Sequence, residues 1–305
     1  MHVSIIIVNF NTREVVSKCL ESLFTNYAAE FATSKFKVII VDNASHDDSV
    51  AEIKRLFPKV KLIENQENVG FARANNQGIE VAQSSFVLLL NPDTVVPKNV
   101  ITQVVDYMEG HKQVGVATAR LELTDGQLDD ASHRGFPTPW RALTHFSGIG
   151  KLFPHSTWLN GYHLGYQNLE KAHEIDACVG AFMCIRRTVG VQLNWLDEQY
   201  FWYGEDLDFC YRVKQAGYQV VFIPTAAVLH HKGVASGIKK HSQQFSKADR
   251  ETKLRATRAR FEVMRIFYRK FYAHKYPAWV RSLVLFGVWL KEQVTLFSLT
   301  FKLHL

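Results

Sequence analysis

Three short apolar runs near the start of the chain stop abruptly at polar residues. Val3–Val8 runs into Asn9 and Asn11, Phe36–Val41 into Asp42, Asn43 and Ser45, and Phe86–Leu90 into Asn91 and Asp93. Continuous apolar runs of this length read as strands buried on both faces. Stretches with helical spacing lie between them. This alternation predicts an α/β fold with a doubly wound, mostly parallel sheet and right-handed crossovers. Such sheets bind ligands at their carboxyl edge, so the three polar clusters should converge on one crevice.

The expected order over residues 1–119 is a strand at 3–8, a helix capped by Thr12 to about 24, and a strand at 36–41. A helix at 49–57, a short strand at 60–63 and a helix at 69–81 follow. The strand ending at Leu90, a helix at 98–108 and a strand at 114–119 complete this half. Asn91-Pro92-Asp93 ends its strand because proline cannot donate to a ladder. Taken alone, Asp93 reads either as a ligand-facing carboxylate or as a turn residue capping the next helix. No GxGxxG follows the first strand and no GxxxxGK[ST] occurs, which excludes a dinucleotide Rossmann site and P-loop chemistry.

Residues 120–175 read as irregular, with scattered Gly, Pro, Trp and His. Long irregular stretches in compact chains are usually functional, and an acceptor-binding or lid role suits this one. Its histidines lack ligand spacing. In 175–187 the pair Gly180-Ala181 precedes a strand; small residues permit either close ligand approach or tight packing. In 200–212 four aromatics, including Trp202 and Tyr203, precede Glu205, Asp206 and Asp208. Carboxylates this close beside an aromatic wall can raise one another's pKa, as a general base requires; the alternative is an acidic first turn complementing a helix dipole. Asp208 and Arg212 stand at ion-pair spacing. Strands at 218–222 and 226–229 lead to His230 and His231, placed for a metal or pyrophosphate contact or as a surface pair.

The net charge of +7 is local. Residues 239–275 hold twelve Lys/Arg and three acids, while the remainder has 24 bases and 26 acids. That argues against nucleic-acid binding by the main domain. A basic helix from 247 to about 272 and an apolar helix from Ala278 onward resemble an interfacial anchor on anionic lipid; the alternative is a helical pair packed on the domain or on another subunit. Lys291 and Glu292 interrupt the last helix, so no spanning segment is expected. MHVSIIIVNF lacks the basic start of a signal peptide. Cys19, Cys178, Cys184 and Cys210 read as reduced, buried thiols.

Taken in order, VSIIIVNFN (3–11), VIIVDNASHDDS (38–49), ENVGFARANNQG (67–78), LLLNPDT (88–94), TDGQLDDASHRGFP (124–137), VGAFMCIRR (179–187), FWYGEDLDFCYRVKQAGY (201–218) and VLHHKG (228–233) resemble family 2 glycosyltransferases. The bacterial rhamnosyltransferase-like branch is the nearest match. The resemblance implies a GT-A fold over 1–237, with a nucleotide-sugar half (1–119), an acceptor and catalytic half (120–237) and a basic helical extension (238–305). It implies inverting transfer of a sugar, rhamnose favoured, from a dTDP- or UDP-linked donor. The acceptor would be a hydroxyl of a glycan or lipid-linked glycan in cell-surface polysaccharide synthesis.

The resemblance also assigns residues. Asn9, Asn11, Asp42, Asn43 and Ser45 fall at the nucleoside, Arg73, Asn75 and Asn76 on the donor segment, and Asn91 and Asp93 on the diphosphate end. Asp93 and His230 would hold Mg²⁺ or Mn²⁺. Asp206 falls on the base and Glu205 on its partner, while Gly180, Ala181, Trp202 and Tyr203 would face the acceptor. Localisation would be cytoplasmic, peripheral on the inner membrane face through residues 239–305, with a homo-oligomer left open. Two other functions compete: a catalytically silent nucleotide-sugar binder or scaffold, against which Glu205, Asp206 and Asp93 argue, and a basic membrane- or nucleic-acid-binding protein.

Overall fold

The computed structural model describes residues 2–238 and 248–302. Its strands are β1 (Val3–Asn9), β2 (Phe36–Asp42), β3 (Lys61–Glu64), β4 (Phe86–Leu90), β5 (Thr94–Val95), β6 (Val114–Thr118), β7 (Leu121–Glu122), β8 (His173–Ile175), β9 (Phe182–Arg186), β10 (Gln219–Phe222) and β11 (Val228–His230). Eight form one sheet in the order β3-β2-β1-β4-β9-β6-β10-β8. β1 to β4, β6 and β10 run the same way, whereas β9 is antiparallel to both β4 and β6 and β8 is antiparallel to β10. The parallel expectation therefore holds except at β8 and β9. A reversed, fully apolar strand carries no mark of its direction in sequence.

Alternate strand residues feed opposite cores, as a period of two requires. Val3, Ile5 and Ile7 of β1 and Phe86, Leu88 and Leu90 of β4 pack with the helices Arg13–Asn26 and Val100–Gly110. Ile6, Val87 and Leu89 pack with the helices Phe71–Glu80 and Glu205–Gln215. Helix and strand approach closely here, since a Cβ at Gly78 would lie 2.6 Å from Ile6 Cγ2. Thr12 precedes the first helix as expected, but its hydroxyl donates to Asn9 Oδ1 (2.6 Å) and caps nothing.

The 120–175 stretch is more ordered than its composition suggests. It holds β7, β8 and the helices Pro139–Phe146 and Ile149–Leu152. Thr138 caps the first of these by accepting from Arg141 N, with Pro139 in the first turn. β5, β11 and β7 form a second, three-stranded sheet that sequence reading does not anticipate, because two-residue strands have no periodicity to detect.

The two C-terminal helices differ. Arg250–Phe271 buries Phe261, Phe267 and Tyr268, and the last two join the core around Phe209. It is part of the domain rather than an appendage. Ala278–Lys302 lies largely exposed, and Ala278–Leu299, 22 residues with mean hydropathy 1.3, is long and apolar enough by length and composition to cross a membrane. The interrupting charges face the protein: Glu292 pairs with Arg265 (2.6 Å), and Lys291 Nζ lies 3.4 Å from the Phe146 ring centroid. The basic residues Lys239, Lys240 and Lys247 lie outside the described residues. All four cysteines are free and buried.

Candidate active site

β1 and β2 end in register, with Asn9 opposite Asp42. Asn9 Nδ2 donates to Asp42 Oδ1 (2.7 Å) and Ser45 Oγ (3.0 Å), and Ser45 N donates to Asp42 Oδ2 (2.9 Å). Asn11 N donates to Ser45 Oγ and Asn11 Oδ1 accepts from His46 N. Asn43 extends the network through Asn68, Asn65 and Val69 N. The five predicted strand-end residues are thus brought together, and their mutual hydrogen bonds fix the loops that would frame a base. A cleft of about 400 Å³ opens beside Ser45 and His46.

The three-stranded sheet builds a second cluster. His230 pairs with Thr94 across β5 and β11, beside Asp93. Asp129 is tied to β7 by Asp129 N donating to Leu121 O (2.9 Å). His230 Nδ1 lies 2.8 Å from Asp129 Oδ2, and Nε2 lies 3.4 Å from Asp93 Oδ1, an ion-pair contact without hydrogen-bond geometry. Lys232 also binds Asp129. Burial alone would lower the His230 pKa, but the Asp93 charge and the Asp129 hydrogen bond raise it to about 9. Burial works against the Asp129 charge, yet the bond from His230 and the charge of Lys232 hold it far below the usual carboxylate range. The same balance, with His230 decisive, lowers Asp93.

This cluster fits a divalent cation. Asn91 Oδ1 and Asp93 Oδ1 are buried acceptors without a hydrogen-bond partner, and hard oxygens suit Mg²⁺ or Mn²⁺. A carboxylate on Nδ1 is the usual outer-shell arrangement of a ligating histidine, and Nε2, which faces Asp93 (3.4 Å) and Asn91 Nδ2 (3.5 Å), would give up its proton to bind the ion. Among the described residues no group of three or more His, Cys, Asp or Glu could by itself hold a metal ion. A site of this kind is filled out by substrate phosphates and water.

The helix Glu205–Gln215 begins at Gly204, whose φ of +90° lies in the left-handed region. A Cβ there would also meet Val263 Cγ1 at 2.4 Å, so the helix Arg250–Phe271 closes directly over the start of the acidic turn. Asp206 Oδ1 pairs with Arg134 Nη2 (3.3 Å) and accepts from Leu207 N (2.6 Å), and Oδ2 accepts from Gly180 N (3.3 Å). Asp208 is matched by Arg212 Nε and Lys270 Nζ, both at 2.6 Å. Among the described residues Glu205 forms no ion pair: Oε2 is buried without a hydrogen-bond partner, and burial together with the Asp206 charge pushes its pKa up to about 8. Burial, with the Glu205 and Asp93 charges adding to it, also raises Tyr203, whose ring stacks on Trp202 (6.2 Å).

Several predicted residues are placed differently. At 100° per residue Arg73 and Asn76 lie near one face of the helix and Asn75 turns away from both. Arg73 is exposed, the buried Asn75 donates to Phe71 O (2.9 Å), and Asn76 clamps Leu196 O and Glu198 beside a separate cavity of about 470 Å³. Asn75 and Asn76 therefore serve the scaffold. Ala181 is fully buried in the core and accepts from Asn91 N, so it offers no acceptor surface. Gly180 serves Asp206 through its N–H. Trp202 packs edge-on to Phe10 (6.3 Å) and is half-buried, as expected of a wall. His230, not His231, turns its ring to Asp93. Sequence reasoning assigns no role to Asp129, Arg134 or Lys232. The first two lie within 124–137, but no spacing links them to His230 or Asp206.

The profile described as "Glycosyl transferase family 2" matches residues 4–190, more than half of the chain. The chain belongs to glycosyl transferase family 2. Within the family, it is 27% identical over 212 residues to the N-acetylglucosaminyl-diphospho-decaprenol L-rhamnosyltransferase of Mycobacterium tuberculosis, covering 66% of this chain and 68% of that one. It is 26% identical over 240 residues to rhamnosyltransferase WbbL of Escherichia coli K12, covering 75% and 83%. The fold matches the Pyrobaculum calidifontis mannosyltransferase PcManGT in complex with GDP-Man and Mn²⁺ (TM-score 0.57, 15% identity, 88% of this chain and 64% of that one). It also matches S. aureus TarS 1-349 in complex with UDP-GlcNAc (TM-score 0.57, 15% identity, 93% and 70%). The fold is GT-A, and the family's activity is glycosyl transfer.

Proposed function

We propose that this chain is an inverting, metal-dependent glycosyltransferase of the rhamnosyltransferase-like branch. It moves a deoxyhexose, rhamnose in the first instance, from a dTDP- or UDP-linked donor to a hydroxyl of a lipid-linked glycan at the inner membrane face. One observation carries the reading. The chain holds two buried acidic clusters of the kind such a transfer needs, the adjacent pair Glu205 and Asp206, held by Arg134 and the Gly180 N–H, and Asp93 beside His230. The rhamnosyltransferase relatives support the donor sugar, and the first of them, named for a diphospho-decaprenol substrate, supports the acceptor class.

The residues divide the work. Asn9, Asn11, Asp42, Asn43 and Ser45 frame the nucleoside. Asn91, Asp93 and His230 would hold the ion, which supplies charge neutralisation to the departing diphosphate. Arg134 and the Gly180 N–H aim Asp206 into the crevice. Asp206 takes the proton of the acceptor hydroxyl as its oxygen bonds to the anomeric carbon. The bond from that carbon to the diphosphate oxygen breaks on the opposite face, and the electron pair leaves with the nucleotide. Glu205 keeps its proton below about pH 8, which spares Asp206 a second adjacent negative charge.

The test is transfer from dTDP-rhamnose with the product's anomeric configuration read by NMR. Inversion is expected. Retention, or turnover by Asp206→Asn near that of the unaltered chain, would refute the mechanism.

A further inference from the structure

On the last helix, Trp279, Leu283, Phe286, Leu290, Val294 and Phe297 are 48% to 70% exposed. At 100° per residue they fall within about 80° of one another, a single narrow stripe. The opposite side carries Val284, Leu285 and Glu292, which face the domain. A second exposed apolar set lies more than a hundred residues earlier: Trp140, Leu143, Phe146, Leu152, Phe153 and Trp158, 39% to 75% exposed. Trp140 and Trp158 stack at 4.4 Å, and the Trp140 indole donates to Trp158 O (3.0 Å). The two sets abut where Lys291 lies over Phe146.

We infer that these two elements form one surface that lies on an anionic lipid bilayer, with the helix Ala278–Lys302 in the plane of the interface. The inference deepens the membrane-face part of the proposed function and does not depend on its chemistry. Three observations favour lipid over a protein partner. The stripe extends along a run of bilayer-compatible length and hydropathy, only 6% of it buried. Four of the chain's six tryptophans, Trp140, Trp158, Trp279 and Trp289, stand exposed on these elements, and indoles suit the boundary between hydrocarbon and headgroups. The exposed Lys151 lies on the early element and the exposed Lys291 flanks the stripe over Phe146, which matches anionic headgroups. The early element extends the contact well beyond the C-terminal region and brings the loop that carries Arg134 toward the bilayer.

The full chain should float with phosphatidylcholine vesicles containing phosphatidylglycerol and bind pure phosphatidylcholine vesicles at least about tenfold more weakly. The double variant Leu143→Ser, Leu152→Ser and the double variant Phe286→Ser, Leu290→Ser should each lower the partition coefficient at least about tenfold. Their circular dichroism and melting should be unchanged, because the altered side chains are exposed. Three results would overturn the inference: unaltered flotation of the Leu143, Leu152 variant; protection of the last helix from protease on both sides of the vesicle, which would make it a span; or a stable dimer, lost in both variants, with no vesicle binding. Flotation needs no donor or acceptor, so a failed transferase assay leaves this result standing.

Discussion

Asp93 and Asp129 on one side of the crevice, and Glu205, Asp206 and Asp208 on the other, are all buried, yet their charges are balanced differently. On the first side two carboxylates meet two cations, His230 and Lys232. On the second, Arg134 answers Asp206, and Arg212 with Lys270 answers Asp208, which leaves Glu205 without an ion pair among the described residues. A buried carboxylate with no cation keeps its proton. The first side is thus built to hold a fixed charge pattern, and the second to keep one proton in place while a neighbouring carboxylate receives another.

The comparison is broken most severely at Asp206. Asp206→Asn should lower turnover about 10²- to 10⁴-fold, the usual worth of a general base, while calorimetric donor affinity stays within a few-fold. Equal losses in both would assign Asp206 to binding instead. Next comes Asp208, whose role on this account is structural. Asp208→Asn removes the carboxylate that Arg212 and Lys270 share, while Lys270 keeps Asp197 and Arg212 keeps Leu193 O and Trp195 O, and should cost roughly 1–3 kcal/mol in a denaturant titration. A variant of unchanged stability would show that the matched pair is dispensable.

On the other side, Asp129→Asn should weaken Mn²⁺ binding about 10- to 100-fold in a direct paramagnetic titration, because it removes the partner that orients His230. Unchanged Mn²⁺ affinity would separate Asp129 from the ion. The smallest effect concerns Glu205. The folded chain holds its proton up to about pH 8 against an ordinary 4.5, so the native state binds a proton that the unfolded chain releases. That stabilisation is complete below 4.5 and is lost as the pH rises to about 8. Compared with Glu205→Gln, the unaltered chain should lose stability steadily between pH 5 and pH 8.5 in denaturant midpoints. Parallel pH profiles for the two chains would place Glu205 in contact with water.

Sequence reading reaches one side of this comparison more fully than the other. The strands ending at Asn9, Asp42 and Leu90 announce themselves, because a buried strand is an apolar run and its end is a change of composition. The Glu205-Asp206 pair and its aromatic wall are likewise contiguous. Asp129 and Lys232 belong to a cluster made by strands two or three residues long, too short to show periodicity, and Arg134 reaches Asp206 only through its bridge to Ala177. Asn75 and Asn76 show the opposite failure. Adjacent positions in a motif look alike in sequence, but a helix turns them to different surfaces.

One contact has a practical consequence. The helix Arg250–Phe271 lays Arg255 over Phe201 (3.9 Å), Val263 against Gly204 and Lys270 on Asp208. Successive turns of it therefore rest on successive residues of the segment that presents the acids. The recognisable motifs end near residue 237, and a gene cut there for expression would seem to preserve every one of them. Such a chain would lack the lid over Gly204 and half of the charge that balances Asp208. The shortest product worth purifying ends after Tyr276, which still packs on that core, and shedding the final helix for solubility gives up the contacts of Val284 and Leu285.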